Sequence, residues 1–156
     1  MPRDLVIFIV GPTAVGKTRL AVMLAKRLSG EIVSCDSMQV YKGMRILSQY
    51  PSAEERKGAP HHLVSIVDPA KEYSVASFRK AATASIESIV RRGRIPIVAG
   101  GTGLYAKALI DGLFPSPKAD IGFRRKMERF AIRYGNKRIY ARLAKIDPGS
   151  ASKIHP

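Results

Sequence analysis

The sequence predicts an α/β fold, a parallel sheet flanked by helices around a phosphate-binding loop, with a basic helical appendage. Three observations predict it. Residues 11–18, Gly11-Pro12-Thr13-Ala14-Val15-Gly16-Lys17-Thr18, match the pattern G-x-x-x-x-G-K-[ST]. The flanks supply the required context, with a continuous apolar run over residues 5–10 and then leucines at 20, 24 and 28. Two more short strand-like segments, residues 31–36 and 95–99, end in Asp36 and in Gly100-Gly101-Thr102-Gly103. Parallel strands joined by helices place such ends on one edge of the sheet.

Taken in order, residues 5–10 read as a strand buried on both faces. The loop that follows is a phosphate cradle of the P-loop NTPase-like kind. Gly11 and Gly16 let the backbone turn its amides inward, and the helix N-terminus adds partial positive charge. Lys17 reaches the terminal phosphates of a di- or triphosphate, and the Thr18 hydroxyl holds a Mg²⁺. The helix that follows is expected to stop at Gly30. Asp36, at the end of the second strand, is expected beside the phosphate loop. Its carboxylate suits a Mg²⁺ contact through water, a base accepting a proton, or a plain solvent-facing strand end. Gln39 carries an amide suited to a base edge, and Tyr41 can pack or stack.

Residues 43–60 read as loop, with a short helix near 53–57. Adjacent His61 and His62 cannot share a face of a helix or strand, which argues against a metal pair and for loop packing or substrate contact. Residues 62–67 suggest a short strand. Ser74 is a helix cap for a helix running to about Arg92, with Phe78, Ile86, Ile89 and Val90 inward and Gly93 ending it. Residues 95–99 form the third strand, with Pro96 at its start, where a missing amide is tolerated. A helix over 104–111 stops at Gly112, which puts Thr102 at a helix N-terminus in the same crevice as Asp36. The third strand ends without the acid that holds metal in many phosphate-loop ATPases, leaving Asp36 as the acid placed to serve.

Pro115 and Pro117 mark a boundary between a core, residues 1–114, and a basic helical segment, residues 115–156. In the latter, Phe123, Met127, Phe130, Ala131 and Tyr134 form one apolar stripe, Gly135 breaks it, and Ile139, Leu143 and Ile146 continue on a second helix closed by Asp147-Pro148. Residues 118–145 carry ten lysines and arginines against Asp120 and Glu128, part of a formal charge of +15 over 156 residues. A one-signed excess of this kind points to a polyanion, with nucleic acid first among them, over a merely solvated face. A single cysteine, Cys35, rules out an internal disulfide and suits a reducing compartment. The apolar N-terminal run is too short for a membrane span and leads straight into the phosphate loop, so a cytoplasmic enzyme with no membrane partner is expected; a monomer is expected as well.

The phosphate loop, Asp36-Ser37-Met38-Gln39-Val40-Tyr41, His61-His62-Leu63 and Gly100-Gly101-Thr102-Gly103-Leu104-Tyr105 occur together and in this order. With them the chain resembles the tRNA dimethylallyltransferases, specifically their N-terminal half, over nearly its whole length through Ile154-His155-Pro156. The resemblance implies transfer of a dimethylallyl group from its pyrophosphate to N6 of the adenine beside a tRNA anticodon. Residues 11–18, with Mg²⁺ on Thr18, would then grip the pyrophosphate leaving group rather than a nucleotide such as ATP. The resemblance makes Asp36 the base at N6, puts Ser37, Met38 and Gln39 on the target nucleotide, and places Thr102 and Arg124 at the substrate and tRNA, with residues 115–156 opening the tRNA-facing helical insertion. Two departures accompany it. Residues 45–51 lack the glycine and lysine usual there, and family members are about twice as long, so the expectation is a truncated chain, weakly active or inactive alone. Two rival readings are a P-loop kinase of a small hydroxylated substrate and a binding-only RNA module.

Overall fold

The computed structural model describes residues 5–44, 50–114 and 120–155. The chain divides into two compact units, Met1–Phe114 and Pro115–Pro156.

The first unit is a sheet of four parallel strands, β1 (Ile7–Val10), β2 (Gly30–Ser34), β3 (His61–His62) and β4 (Ile95–Gly100), in the order β1-β4-β2-β3. Helices α1 (Lys17–Leu28), α2 (Ala53–Gly58), α3 (Val75–Arg91) and α4 (Gly103–Ile110) complete it. Successive strand residues point to opposite faces, so the sheet supports two cores. Ile32 and Ile97 meet Ala21 and Ala25 of α1. Val33 and Val98 meet Phe78, Ala82 and Ile89 of α3 on the other face, where the Phe78 ring stacks on Tyr105 of α4 at 4.0 Å.

Several elements differ from expectation, each for a physical reason. Strand β1 is only half-buried, and Val10 is 55% exposed. It lies at the edge of the described sheet and pairs with β4 alone. In α1, Leu20 faces solvent at 42% exposure, and the inward positions belong to Ala21 and Ala25. Small side chains let the helix lie close on the sheet, so α1's packing depends on its alanines.

Ser29, not Gly30, takes the left-handed cap of α1, at φ 50°. Gly30 already belongs to β2, and a Cβ there would come within 2.7 Å of the Ile95 carbonyl. Strand β3 ends after two residues because Leu63 and Ser65 adopt positive φ. The backbone beyond turns to brace the neighbouring segment, with Ser65 N–H donating to Gln39 O and Ile66 N–H to Val40 O, each at 2.8 Å. Pro96 is buried within the central strand, and β1 pairs with β4 only from Ile97 onward. Helix α2 opens with a reciprocal capping box between Ser52 and Glu55. The Ser74 cap accepts from Ser77 N–H, and Gly93 follows α3 at φ 71°.

The second unit holds α5 (Ile121–Tyr134), α6 (Asn136–Ile146) and the short α7 (Pro148–Ala151). Gly135, at φ 81°, separates α5 from α6. Met127, Phe130, Ala131, Ile139 and Leu143 are half-buried, whereas Phe123, Tyr134 and, at 75%, Ile146 are exposed. Asp147 ends α6 and caps α7, its carboxylate accepting from Ser150 N–H at 2.9 Å. Pro115, Pro117 and Lys118, and most of the divergent 45–51 segment, lie outside the described residues.

Candidate active site

The loop after β1 reaches its shape through Ala14 (φ 67°) and Gly16 (φ 83°) in the left-handed region. Gly16 is also the N-cap of α1 and provides no side chain to its first amides. Those N–H groups and the helix dipole therefore remain available to an anion. Lys17, half-buried at the first helical position, donates its ammonium to Pro12 O across the loop. Thr18 follows it on the same turn.

Strand β4 runs between β1 and β2, so three strand ends meet. The exits of β4 and β2 touch so closely that a Cβ at Gly100 would lie 2.1 Å from Cys35 O. Thr102 binds this junction on both sides. Its N–H donates to Cys35 O at 3.1 Å, and its Oγ accepts from Ser37 N–H at 2.9 Å. Just beyond β2, Asp36 folds back on its own turn, Oδ1 accepting from the N–H groups of Met38 (2.8 Å) and Gln39 (3.3 Å). Gln39 Oε1 in turn accepts from Ser34 Oγ at 2.9 Å. Cys35, fully buried with its thiol pushed up to about 12 by burial and then by the adjacent Asp36 charge, is a packing residue and not a nucleophile.

Thr13, Lys17 and Thr18 of the loop and helix share one cavity with Asp36, Gln39 and Ser34 of the β2 end, Ala99 and Gly100 of β4, and His61 of β3. The cavity is partly open, with a volume of about 40 Å³. Of the expected site residues, Lys17, Thr18, Asp36 and Gln39 thus come together. Ser37 and Thr102 stand behind Asp36 as its support. Met38 is exposed beside it. Arg124 belongs to the other unit, exposed in the first turn of α5, where its backbone N–H donates to Asp120 O.

Sequence reasoning missed Ser34 and the inward direction of His61. The two histidines do face opposite ways. His61 pairs with Ile32 and looks to the α1 face, whereas His62 pairs with Val33 on the α3 face. There His62 Nε2 donates to buried Glu31 at 2.6 Å, and Arg92 and Arg94 reach the same carboxylate at 2.7 and 3.4 Å. Reading residues 61–62 as a strand beside 31–36 would have revealed the split.

A parallel sheet with this loop, helix and strand order defines a P-loop NTPase-like protein, with Asp36 in the cavity beside the phosphate loop and Glu55 of α2 in a second recess against Lys17 and Thr18. Its relatives narrow that class. The model of the IPP transferase family matches residues 39–156, and that of isopentenyl transferases matches residues 5–64. The chain belongs to the IPP transferase family. It is 50% identical over 150 residues to a tRNA dimethylallyltransferase of Anaeromyxobacter dehalogenans, covering 96% of this chain and 50% of the relative. The full-length tRNA isopentenylpyrophosphate transferase of Bacillus halodurans superposes with a TM-score of 0.69 at 50% identity, covering 97% of this chain and 50% of that one. A eukaryotic dimethylallyltransferase acting on tRNA gives 0.79 at 38% identity, covering 97% and 38%. The chain spans about half the length of the curated relatives it matches.

Proposed function

We propose that this chain is the pyrophosphate-binding half of a tRNA dimethylallyltransferase, an enzyme moving a dimethylallyl group from its pyrophosphate to N6 of the adenine beside the anticodon. One observation carries the reading. A phosphate loop and a single acid share a cavity, with no second carboxylate from the strand between them. That set suits release of a pyrophosphate coupled to removal of one proton.

In this reading the loop amides, Lys17 and the α1 N-terminus receive the pyrophosphate. The allylic carbon–oxygen bond breaks as the carbon–nitrogen bond forms, negative charge gathers on the leaving group, and these fixed donors stabilise it. Asp36 takes the proton that N6 loses. Its Oδ1 is anchored by two backbone N–H groups, so the carboxylate is oriented before substrate arrives. Ser37, Met38 and Gln39, on the turn that carries Asp36, would contact the target nucleotide, and Thr102 Oγ1 braces that turn by accepting from Ser37 N–H. The adenine has to leave the anticodon stack to reach so narrow a crevice. Thr18 is a hard oxygen donor in the same cavity and fits a Mg²⁺, which would neutralise the pyrophosphate. The exposed arginines of α5 and α6, with Arg124 among them, form the face offered to the tRNA anticodon arm.

The test joins residues 1–156 to the C-terminal half of the Bacillus halodurans relative and measures N6-dimethylallyladenine in digested tRNA by mass spectrometry. The chimera is expected to modify tRNA, and Asp36→Asn to cut kcat by roughly 10²-fold or more, as loss of a general base does. Phosphoryl transfer from ATP to a small alcohol, with Asp36→Asn fully active on tRNA, would replace this reading with that of a kinase.

A further inference from the structure

Strand β4 passes beside the phosphate loop and ends in Ala99-Gly100, so it supplies no carboxylate to the cavity. A bound Mg²⁺ keeps several of its waters, and the protons of those waters need acceptors. Asp36 is one. Another is found on β3.

His61 lines the same cavity as Lys17, Thr18 and Asp36. Its Nδ1 lies 2.9 Å from Ala59 O. A carbonyl oxygen only accepts, so Nδ1 carries the ring proton and Nε2 of the neutral ring presents a bare lone pair. That nitrogen is buried and has no hydrogen-bond partner among the described residues. Burial favours the neutral ring, and this outweighs the opposing pull of the Ala59 carbonyl and Glu55. The ring's place is fixed, because His61 is paired to Ile32 in the sheet while His62 is tied to Glu31 on the opposite face. This unmet acceptor belongs to a residue lining a cavity of about 40 Å³, whose walls are half polar and which has room for water. The oxygens of an ionised, Mg²⁺-bound pyrophosphate have no proton to give it. Metal-bound water has.

We propose that His61 Nε2 is a positioning acceptor of the phosphate site, taking a hydrogen bond from a water of the hydrated Mg²⁺–pyrophosphate held by Lys17 and Thr18. It stands in for the acid that β4 lacks. The proposal rests on the pyrophosphate reading above.

The test is calorimetric titration of the 156-residue chain with inorganic pyrophosphate, once in saturating Mg²⁺ and once in EDTA, for wild type, His61→Leu, His61→Gln and Lys17→Ala. His61→Leu should bind about tenfold more weakly in Mg²⁺, the size of one hydrogen bond, and as wild type in EDTA. His61→Gln, whose amide oxygen can reach the Nε2 position, should recover most of the loss. Equal weakening in both media, or wild-type affinity of His61→Leu in Mg²⁺, overturns the proposal. Nitrogen NMR of the unaltered chain gives an answer independent of folding of the variants. The His61 Nε2 resonance should remain unprotonated and move upfield with Mg²⁺–pyrophosphate but not with pyrophosphate alone, and protonation or no movement overturns the proposal equally. Wild type that fails to bind pyrophosphate, or Lys17→Ala that binds unchanged, sinks the functional reading itself; a failure confined to His61 leaves that reading standing.

Discussion

Glu31 is the buried charge that the site depends on without containing. Its carboxylate joins His62 of β3 to Arg92 after α3, and so fixes the strand that carries His61. Burial pushes its carboxyl up, but the hydrogen bonds from Arg92 and His62 outweigh that and hold it below the ordinary range. Glu31→Gln keeps the size and loses the charge, and should cost about 2 kcal/mol in urea unfolding at neutral pH. The figure stays modest because both guanidiniums are about half exposed and screened. The sign with pH follows. A carboxyl lowered in the folded state stabilises above its unfolded value of about 4.3 and loses that contribution as pH falls through the folded value. The gap between wild type and Glu31→Gln should therefore close in acid, and a gap constant down to about pH 3 would contradict the ion cluster.

Legibility among single residues followed sequence locality. Lys17, Thr18 and Asp36 were readable because a motif or a strand end placed each on a known edge of the sheet. Ser34 and His61 enter the cavity through register, the pairing of β2 with β3 and β4, and one sequence does not state register. Thr102 was placed at the right helix start. Its observed partner is Ser37, so its hydroxyl shapes the turn that carries Asp36.

Among the elements, the helices were the more legible. The caps at Ser74 and Asp147, the glycine break at Gly135 and the short helix after Ser52 all follow local chemistry. The strands were less so. The expected strand over 62–67 dissolves into a brace with two left-handed residues, whose shape is set by hydrogen bonds to Gln39 and Val40 from a distant part of the chain. On α5 and α6 the described lysines and arginines are all exposed, and none pairs with a carboxylate among the described residues. Arg133 and Arg138 lie over the Tyr134 ring at 5.2 and 5.6 Å, which orders two of them on one surface. RNA binding should depend on salt, and Arg129, Arg133 and Arg138 replaced together by Ser should flatten the slope of log affinity against log salt by up to about three units. An unchanged slope would make these helices a solvated face.

For the molecule as a whole, the strand order is what turns a motif into a site. With β4 between β1 and β2, the phosphate loop and Asp36 lie one strand apart, close enough to line one cavity. The sequence allowed that order, but periodicity alone could not have chosen it. No described helix is long and apolar enough to cross a membrane. The most direct measurement is calorimetry of the chain with dimethylallyl pyrophosphate and with ATP, each with Mg²⁺. Dimethylallyl pyrophosphate should bind the more tightly, and Lys17→Ala should weaken it by about 2 kcal/mol through loss of a charge-assisted contact. A clear preference for ATP, or an affinity for dimethylallyl pyrophosphate that Lys17→Ala leaves unchanged, would contradict the pyrophosphate site.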